Sequence, residues 1–297
     1  MGARAMRRRA VALALAACTL AGPPVPALAY GVRDMQGRTV EIARVPQRIV
    51  SLLPSVTESL CALSGCARLV GVDRFSNHPP QAKSLPRLGT VLAPQLEAIV
   101  RLRPDVVLMS HSPPLMAQLA KFGIPVLVLD AHDLAGMRAQ WQVLDALLQQ
   151  ERTDALFTRL QAQLDQTAAA ARGAAGRSVY FEVDATPYAA GAGSFIGELL
   201  AALGARNIAP PELGPFPRLT PEYVVRRNPQ VIIHTPETPA RAFAQRPGWS
   251  AVDAVRSGRI CTLSSAETDL VSRPGPRLGE AAAVLARCLW LSPRRPQ

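Results

Sequence analysis

The sequence predicts an α/β protein of two Rossmann-like lobes joined by one long interdomain α-helix. Three observations carry this. Apolar runs of strand length alternate with amphipathic segments of helix length through residues 30–133 and again through 176–297, the pattern of parallel sheets covered on both faces. Between those stretches the period changes: Leu134, Met137, Trp141, Leu144 and Leu148 recur every three or four residues, and Leu156, Leu160 and Leu164 continue at four, which is helical spacing. The chain also echoes itself. LEAIVRLRPDVVL (96–108) returns as PEYVVRRNPQVII (221–233), where Glu97, Val100, Arg101, Pro104 and Val106 match Glu222, Val225, Arg226, Pro229 and Val231 at one offset of 125 residues. ESLCAL (58–63) returns as ELLAAL (198–203) at an offset of 140, so the repeat carries insertions.

The elements follow in order. Residues 1–29 read as a secretory leader: Arg4, Arg7, Arg8 and Arg9 precede an apolar run, and Ala27-Leu28-Ala29 offers a small-residue cleavage site before Tyr30. Leu15-Ala16-Ala17-Cys18 also has the form of a lipoprotein box, so export as a lipoprotein anchored through Cys18 is the alternative to a free periplasmic chain. VRDMQGRTVEIA (32–43) forms two short strands about Gln36 and Gly37. RIVSLL is a buried strand, and PSVTESLCALSG a helix opened by Pro54 and Ser55. ARLVGVD, DVVLMS and PVLVLD are further strands, separated by the helices QLEAIVRLR, ended by Pro104, and LMAQLAKFG, closed by Gly123. A helical connecting segment covers residues 134–175; QQERTD interrupts it, after which residues 151–172 make one helix of roughly 33 Å, ended by Gly173 and Gly176. In the second lobe SVYFEVD, VIIHT and RICTLS are strands. SFIGELLAALG, PEYVVRRN and LGEAAAVLARCLWL are helices.

Composition narrows the function. At 48% hydrophobic and 19% charged the chain is globular. The net charge of +11 falls to +7 once the leader's four arginines are removed, and the remaining basic residues are scattered among acids without interleaved aromatics; a nucleic-acid partner is not expected. There is no G-x-S-x-G, P-loop, G-x-G-x-x-G after a first strand, or H-E-x-x-H, so an exported enzyme is only a remote alternative. His78, His111, His132 and His234 form no ligand pattern, and no metal site or cofactor is expected. Beyond the leader, Cys61, Cys66, Cys261 and Cys288 allow three disulfide connectivities, which the sequence leaves open; pairing within each half is the favoured one.

Two α/β lobes on a long helix provide a cleft, and ligands in such sheets sit beyond the carboxyl ends of the strands. Glu97 follows Pro94, and Glu222 follows Thr220 and Pro221, so each opens a helix where the dipole favours a carboxylate.

The runs RIVSLLPSVTESLCALSGCARLVGVDRFSNHPPQA (48–82), LPRLGTVLAPQLEAIVRLRPDVVL (85–108), GSFIGELLAALGARNI (193–208), PFPRLTPEYVVRRNPQVII (215–233), PGWSAVDAVRSGRICTL (247–263) and SRPGPRLGEAAAVLA (272–286) resemble the periplasmic vitamin B12-binding proteins of bacterial ABC importers. These are helical-backbone (class III) substrate-binding proteins, a class that also holds haem and siderophore receptors. The resemblance spans residues 33 to about 290. It implies a non-catalytic, monomeric receptor that captures cobalamin or another corrinoid and delivers it to a permease and ATPase complex in the inner membrane. It implies further that Glu97 and Glu222 dock on the two permease subunits, and that Phe75 and Phe216 stack on the ligand, with Phe195 and Tyr188 beside them. Val91 stands at a third place where relatives carry an aromatic. Asp269, Ser272 and Arg273 meet the ligand's polar edge in a loop, Pro54 and Ser55 open the first helix facing the cleft, where free backbone N–H groups meet polar ligand edges, and Arg277 makes a structural ion pair. His78 is the candidate axial ligand if the cargo is haem.

Overall fold

The computed structural model describes residues 29–171, 176–184, 186 and 188–292. Most of the leader, with Cys18, and also Gly173 lie outside these residues. Strands β1 (Tyr30–Arg33) and β2 (Thr39–Ile42) pair antiparallel. In their turn Asp34 Oδ1 accepts from the backbone N–H groups of Gln36 and Arg38, each at 3.0 Å, and Gly37 takes a φ of 76°, which glycine adopts without strain.

The first lobe runs β3 (Ile49–Ser51), α1 (Pro54–Ala62), β4 (Leu69–Val72), α2 (Leu96–Arg101), β5 (Val106–Met109), α3 (Pro113–Ala120) and β6 (Val126–Val128). Its strands are parallel in the order β4-β3-β5-β6. Every residue of β3, β5 and β6 is buried, as continuous apolar runs require in a sheet covered on both faces.

The connecting helices are α4 (Leu134–Leu148) and α5 (Thr153–Ala170). Asp133 caps α4 by accepting from Gly136 N at 2.6 Å, and Gln149 ends it in the left-handed region. Helix α5 begins at Thr153 rather than at 151, because Asp145 Oδ2 accepts from the N–H groups of Arg152 (2.8 Å) and Thr153 (2.7 Å) and so caps α5 from the preceding helix. With 18 residues it is roughly 27 Å long, a turn shorter than its sequence suggests.

The second lobe runs β7 (Ser178–Glu182), α6 (Phe195–Ala202), β8 (Arg206–Asn207), α7 (Pro221–Arg227), β9 (Val231–His234), α8 (Ala240–Gln245), α9 (Asp253–Arg256), β10 (Ile260–Thr262), α10 (Ser265–Val271) and α11 (Leu278–Leu289). Its parallel order, β8-β7-β9-β10, is that of the first lobe: second strand, first, third, fourth. Helices α2 and α7, which carry the longer echo, each precede the third strand, while α1 and α6, which carry the shorter one, each follow the first. The internal repeat is therefore two copies of one topology.

One apolar core runs from the β1-β2 hairpin through α1, α4, α5, α6 and α11 to both sheets, and a smaller core lies within each lobe. Helices α5 and α11 meet closely at Gly279, where a Cβ would stand 2.4 Å from Gln163 Oε1. Between the lobes, Phe195 N donates to His132 O at 2.8 Å and Leu134 N to Glu198 Oε2 at 2.7 Å. Disulfides join Cys61 to Cys66 and Cys261 to Cys288, the second tying β10 to α11.

Candidate functional site

Loops and helix starts from both lobes converge on a cleft of about 370 Å³. Leu53, Pro54 and Ser55 enter it after β3, Phe75 after β4, and Leu129, Asp130 and Ala131 after β6. Gln140 comes from α4, Phe195 from the start of α6, Phe216 from the loop after β8, and the stretch Thr268–Pro274 follows β10. The walls outside α4 thus sit beyond carboxyl ends of strands, where an open α/β sheet leaves room for a ligand. Of the ligand residues expected from sequence, the cleft assembles Pro54, Ser55, Phe75, Phe195, Phe216, Asp269, Ser272 and Arg273. Tyr188 is not among its walls; it is bridged to Arg218 on the strand-like segment after β7 and is 42% exposed. Val91 and His78 line other cavities, His78 beside Glu58 and Gln81.

The aromatic wall is built from below. Asp73, buried at the end of β4, accepts from the backbone N–H groups of Phe75 (2.6 Å) and Ser76 (3.1 Å) and from the Ser76 hydroxyl. That turn pushes Phe75 outward, 54% exposed. Burial raises the Asp73 pKa, against the pull of these hydrogen bonds and of Arg273. Phe195 and Phe216 meet edge to face with centroids 6.3 Å apart, a favourable aromatic geometry.

The polar wall differs from expectation. Asp269 lies inside α10 rather than in a loop, because Ser264 and Glu267 form a reciprocal capping box that starts a helix there. Arg273, 7% exposed, is already paired. Its Nη1 donates to Glu58 Oε1 (2.9 Å) and Asn77 Oδ1 (2.8 Å) and its Nη2 to Phe75 O (3.1 Å), while Nη2 also forms an ion pair with Asp269 Oδ1 at 2.9 Å. Arg277 joins the same carboxylate, donating to Glu58 Oε2 from Nε and to Oε1 from Nη2, both at 2.8 Å. Burial works to lower the Arg277 pKa, but its bonds to Glu58 hold it above the ordinary value. Asn77 Nδ2 donates to Asp269 Oδ2 at 2.7 Å. Glu58 and Asn77, which sequence reasoning did not single out, thus clasp α1 and the Phe75 loop to α10 and α11. Among the described residues, the charged ones on the cleft wall are Asp130, Asp269 and Arg273, and Arg273 pairs with Glu58 and Asp269.

Glu97 and Glu222 stand solvent-exposed in the first turns of α2 and α7, and neither enters an ion pair among the described residues. Thr220 caps α7, its Oγ1 accepting from Tyr223 N at 3.3 Å.

Residues 49–267 match the family model of periplasmic binding proteins. The chain belongs to the periplasmic binding protein family. This family member is 31% identical to an uncharacterized ABC transporter substrate-binding lipoprotein of Bacillus subtilis, over 96% of this chain and 98% of the relative. It is 29% identical to the vitamin B12-binding protein of Pectobacterium carotovorum, over 84% of this chain and 91% of that one. The solved structure of a periplasmic heme-binding protein from Pseudomonas aeruginosa superposes with a TM-score of 0.70 at 27% identity, over 85% of this chain and 95% of that one. The periplasmic binding protein described here is accordingly an extracytoplasmic, non-enzymatic substrate-binding protein of an ABC transporter, with a permease as its partner.

Proposed function

We propose that the cleft captures cobalamin or a related corrinoid and hands it to the permease. The observation that carries this reading is the charge and chemistry of the wall: three phenylalanines and, among the described residues, no unpaired cation and no His, Tyr, Cys, Met or Lys. A corrinoid presents a broad ring rimmed by neutral amides, which suits aromatic faces and uncharged polar groups. The likeness to the vitamin B12-binding protein supports the same ligand. A cleft of this size holds one face and edge of so large a molecule, with the rest projecting between the lobes.

Haem is the second reading, favoured by the heme-binding structural relative. Its propionates call for free cations and its iron for an axial ligand, and the described residues of the cleft wall offer neither. His78, the residue proposed for that role, sits in a separate cavity. A ferric siderophore of net negative charge meets the same obstacle at Asp130 and Asp269.

Calorimetric titration of residues 30–297 with cyanocobalamin, cobinamide and haemin tests the choice. Sub-micromolar binding of a corrinoid without haemin binding is the expected outcome; tight haemin binding alone would overturn it.

A further inference from the structure

Gln140 lies in the middle of α4, on the cleft wall, with 1% of its surface exposed. Its Nε2 has no hydrogen-bond partner among the described residues, and neither has Thr268 Oγ1 on α10, which lines the same cleft. Unpaired buried polar groups weaken a fold, and Leu or Met at 140 and Val at 268 would fill similar space without that defect. A third feature points the same way. The start of α1 opens on this cleft with Leu53 at its N-cap, no side-chain cap and no acidic residue in the first turn, so its leading N–H groups remain available as donors.

We infer that Gln140 and Thr268 are the specificity-determining polar contacts of the cleft, reading a primary carboxamide at the ligand's edge. This rests on the corrinoid reading above. A primary carboxamide carries a donor and an acceptor in one plane, and the Gln140 side chain offers the same pair reversed, so two N–H···O bonds form at once. The Thr268 hydroxyl serves as donor or acceptor, and the first N–H groups of α1 suit a carbonyl oxygen. A carboxylate in the same place has no N–H to give and brings negative charge towards Asp130 and Asp269. The cleft therefore selects amide over acid.

The test uses residues 30–297 as wild type, Gln140→Leu and Thr268→Val. Each is titrated with cyanocobalamin and with cobyrinic acid, in which carboxyl groups replace the amides, and each is melted without ligand. Wild type should bind cyanocobalamin at least tenfold more tightly than cobyrinic acid. Thr268→Val, which removes one hydrogen bond, should lose about tenfold in cyanocobalamin affinity, and Gln140→Leu, which removes two, at least tenfold. The unliganded melting temperature should stay level or rise by about 2–4 °C, because an unsatisfied polar group has been removed. A residue that merely supports the fold would give the opposite melting shift. Unchanged affinity in both variants, or a loss that tracks a lowered melting temperature, overturns the inference and leaves the corrinoid reading standing. Failure of the wild type to bind any corrinoid removes that reading, and this inference with it.

Discussion

At the scale of single residues, Glu58 holds the two lobes together electrostatically. It is 3% exposed and receives both Arg273 and Arg277. Replacing it by Gln leaves two guanidinium groups facing a neutral amide, one of them buried. We expect Glu58→Gln to cost about 3 kcal/mol in urea unfolding, the low end for a broken buried pair, since Arg273 keeps Asp269 and Arg277 is partly solvated. Asp154→Asn, which breaks a solvent-exposed pair with Arg138, should cost less than ~1 kcal/mol. His234 supplies a pH-dependent contrast. Its Nδ1 bonds the Thr235 carbonyl and its Nε2 faces Thr262 Oγ1, each at 2.8 Å, so the neutral ring with the proton on Nδ1 is the form that fits. Burial holds its pKa below the ordinary 6.5. The unfolded chain then takes up the proton at a higher pH than the folded one, so stability is intact above 6.5 and is lost as pH falls through the folded value. Unfolding free energies at pH 7.5 and 5.5 should show a loss of at most ~1.4 kcal/mol per pH unit from this group. His234→Gln should reduce that slope, with His78→Asn as control because burial depresses His78 as well; identical slopes in wild type and His234→Gln would exclude the assignment. Phe75 and Phe216 were legible in the sequence because each stands in a polar or proline-flanked loop where core packing has little use for a ring. Glu58 was not, because Arg273 lies 215 residues away along the chain and an acid near a helix start has an ordinary explanation of its own.

At the scale of elements, the strands of apolar residues and the long amphipathic helices were readable, and some of the shortest elements were not. Strands β3, β5, β6, β7 and β9 are continuous apolar runs, and α4, α5 and α11 sustain helical spacing. Strand β8 has two residues and α9 four, too few for any period to show. Helix α10 was hidden for a different reason: its start depends on a capping box, while its sequence leads into Pro274 and Gly275 and resembles a loop. The disulfides give a test at this scale. Cys261–Cys288 closes a separation of 27 residues between β10 and α11, whereas Cys61–Cys66 closes only 5 at the end of α1. By loop entropy their contributions are roughly 3.5 and roughly 2 kcal/mol. Paired Cys→Ser variants compared by urea unfolding should preserve that order; equal losses would mean that folded-state contacts rather than chain entropy set the values.

At the scale of the whole molecule, two features matter. The central core crosses from one lobe to the other through α4, α5 and α11, so the lobes should unfold together. A calorimetric scan should show one transition, and two separated peaks would mean that the lobes are independent. The second feature is the placement of Glu97 and Glu222 in matched, exposed first turns. Glu97→Ala with Glu222→Ala should abolish transport in a reconstituted importer while leaving cyanocobalamin affinity unchanged. Lost affinity would instead place these residues at the cleft.

The matched strand orders of the two lobes carry a last consequence. If its two copies of one topology are related by a half turn, a single chain gains an approximate two-fold axis without being a dimer. A receptor of that kind can meet a two-fold symmetric partner in two orientations half a turn apart, each offering one lobe to each half of the partner. Productive encounters then double in number, an advantage of only about 0.4 kcal/mol at room temperature. The corrinoid proposed as cargo has no such axis. It would arrive at the translocation pathway facing either of two ways, and a pathway that accepts both must recognise the receptor's outline more strictly than the orientation of what it carries.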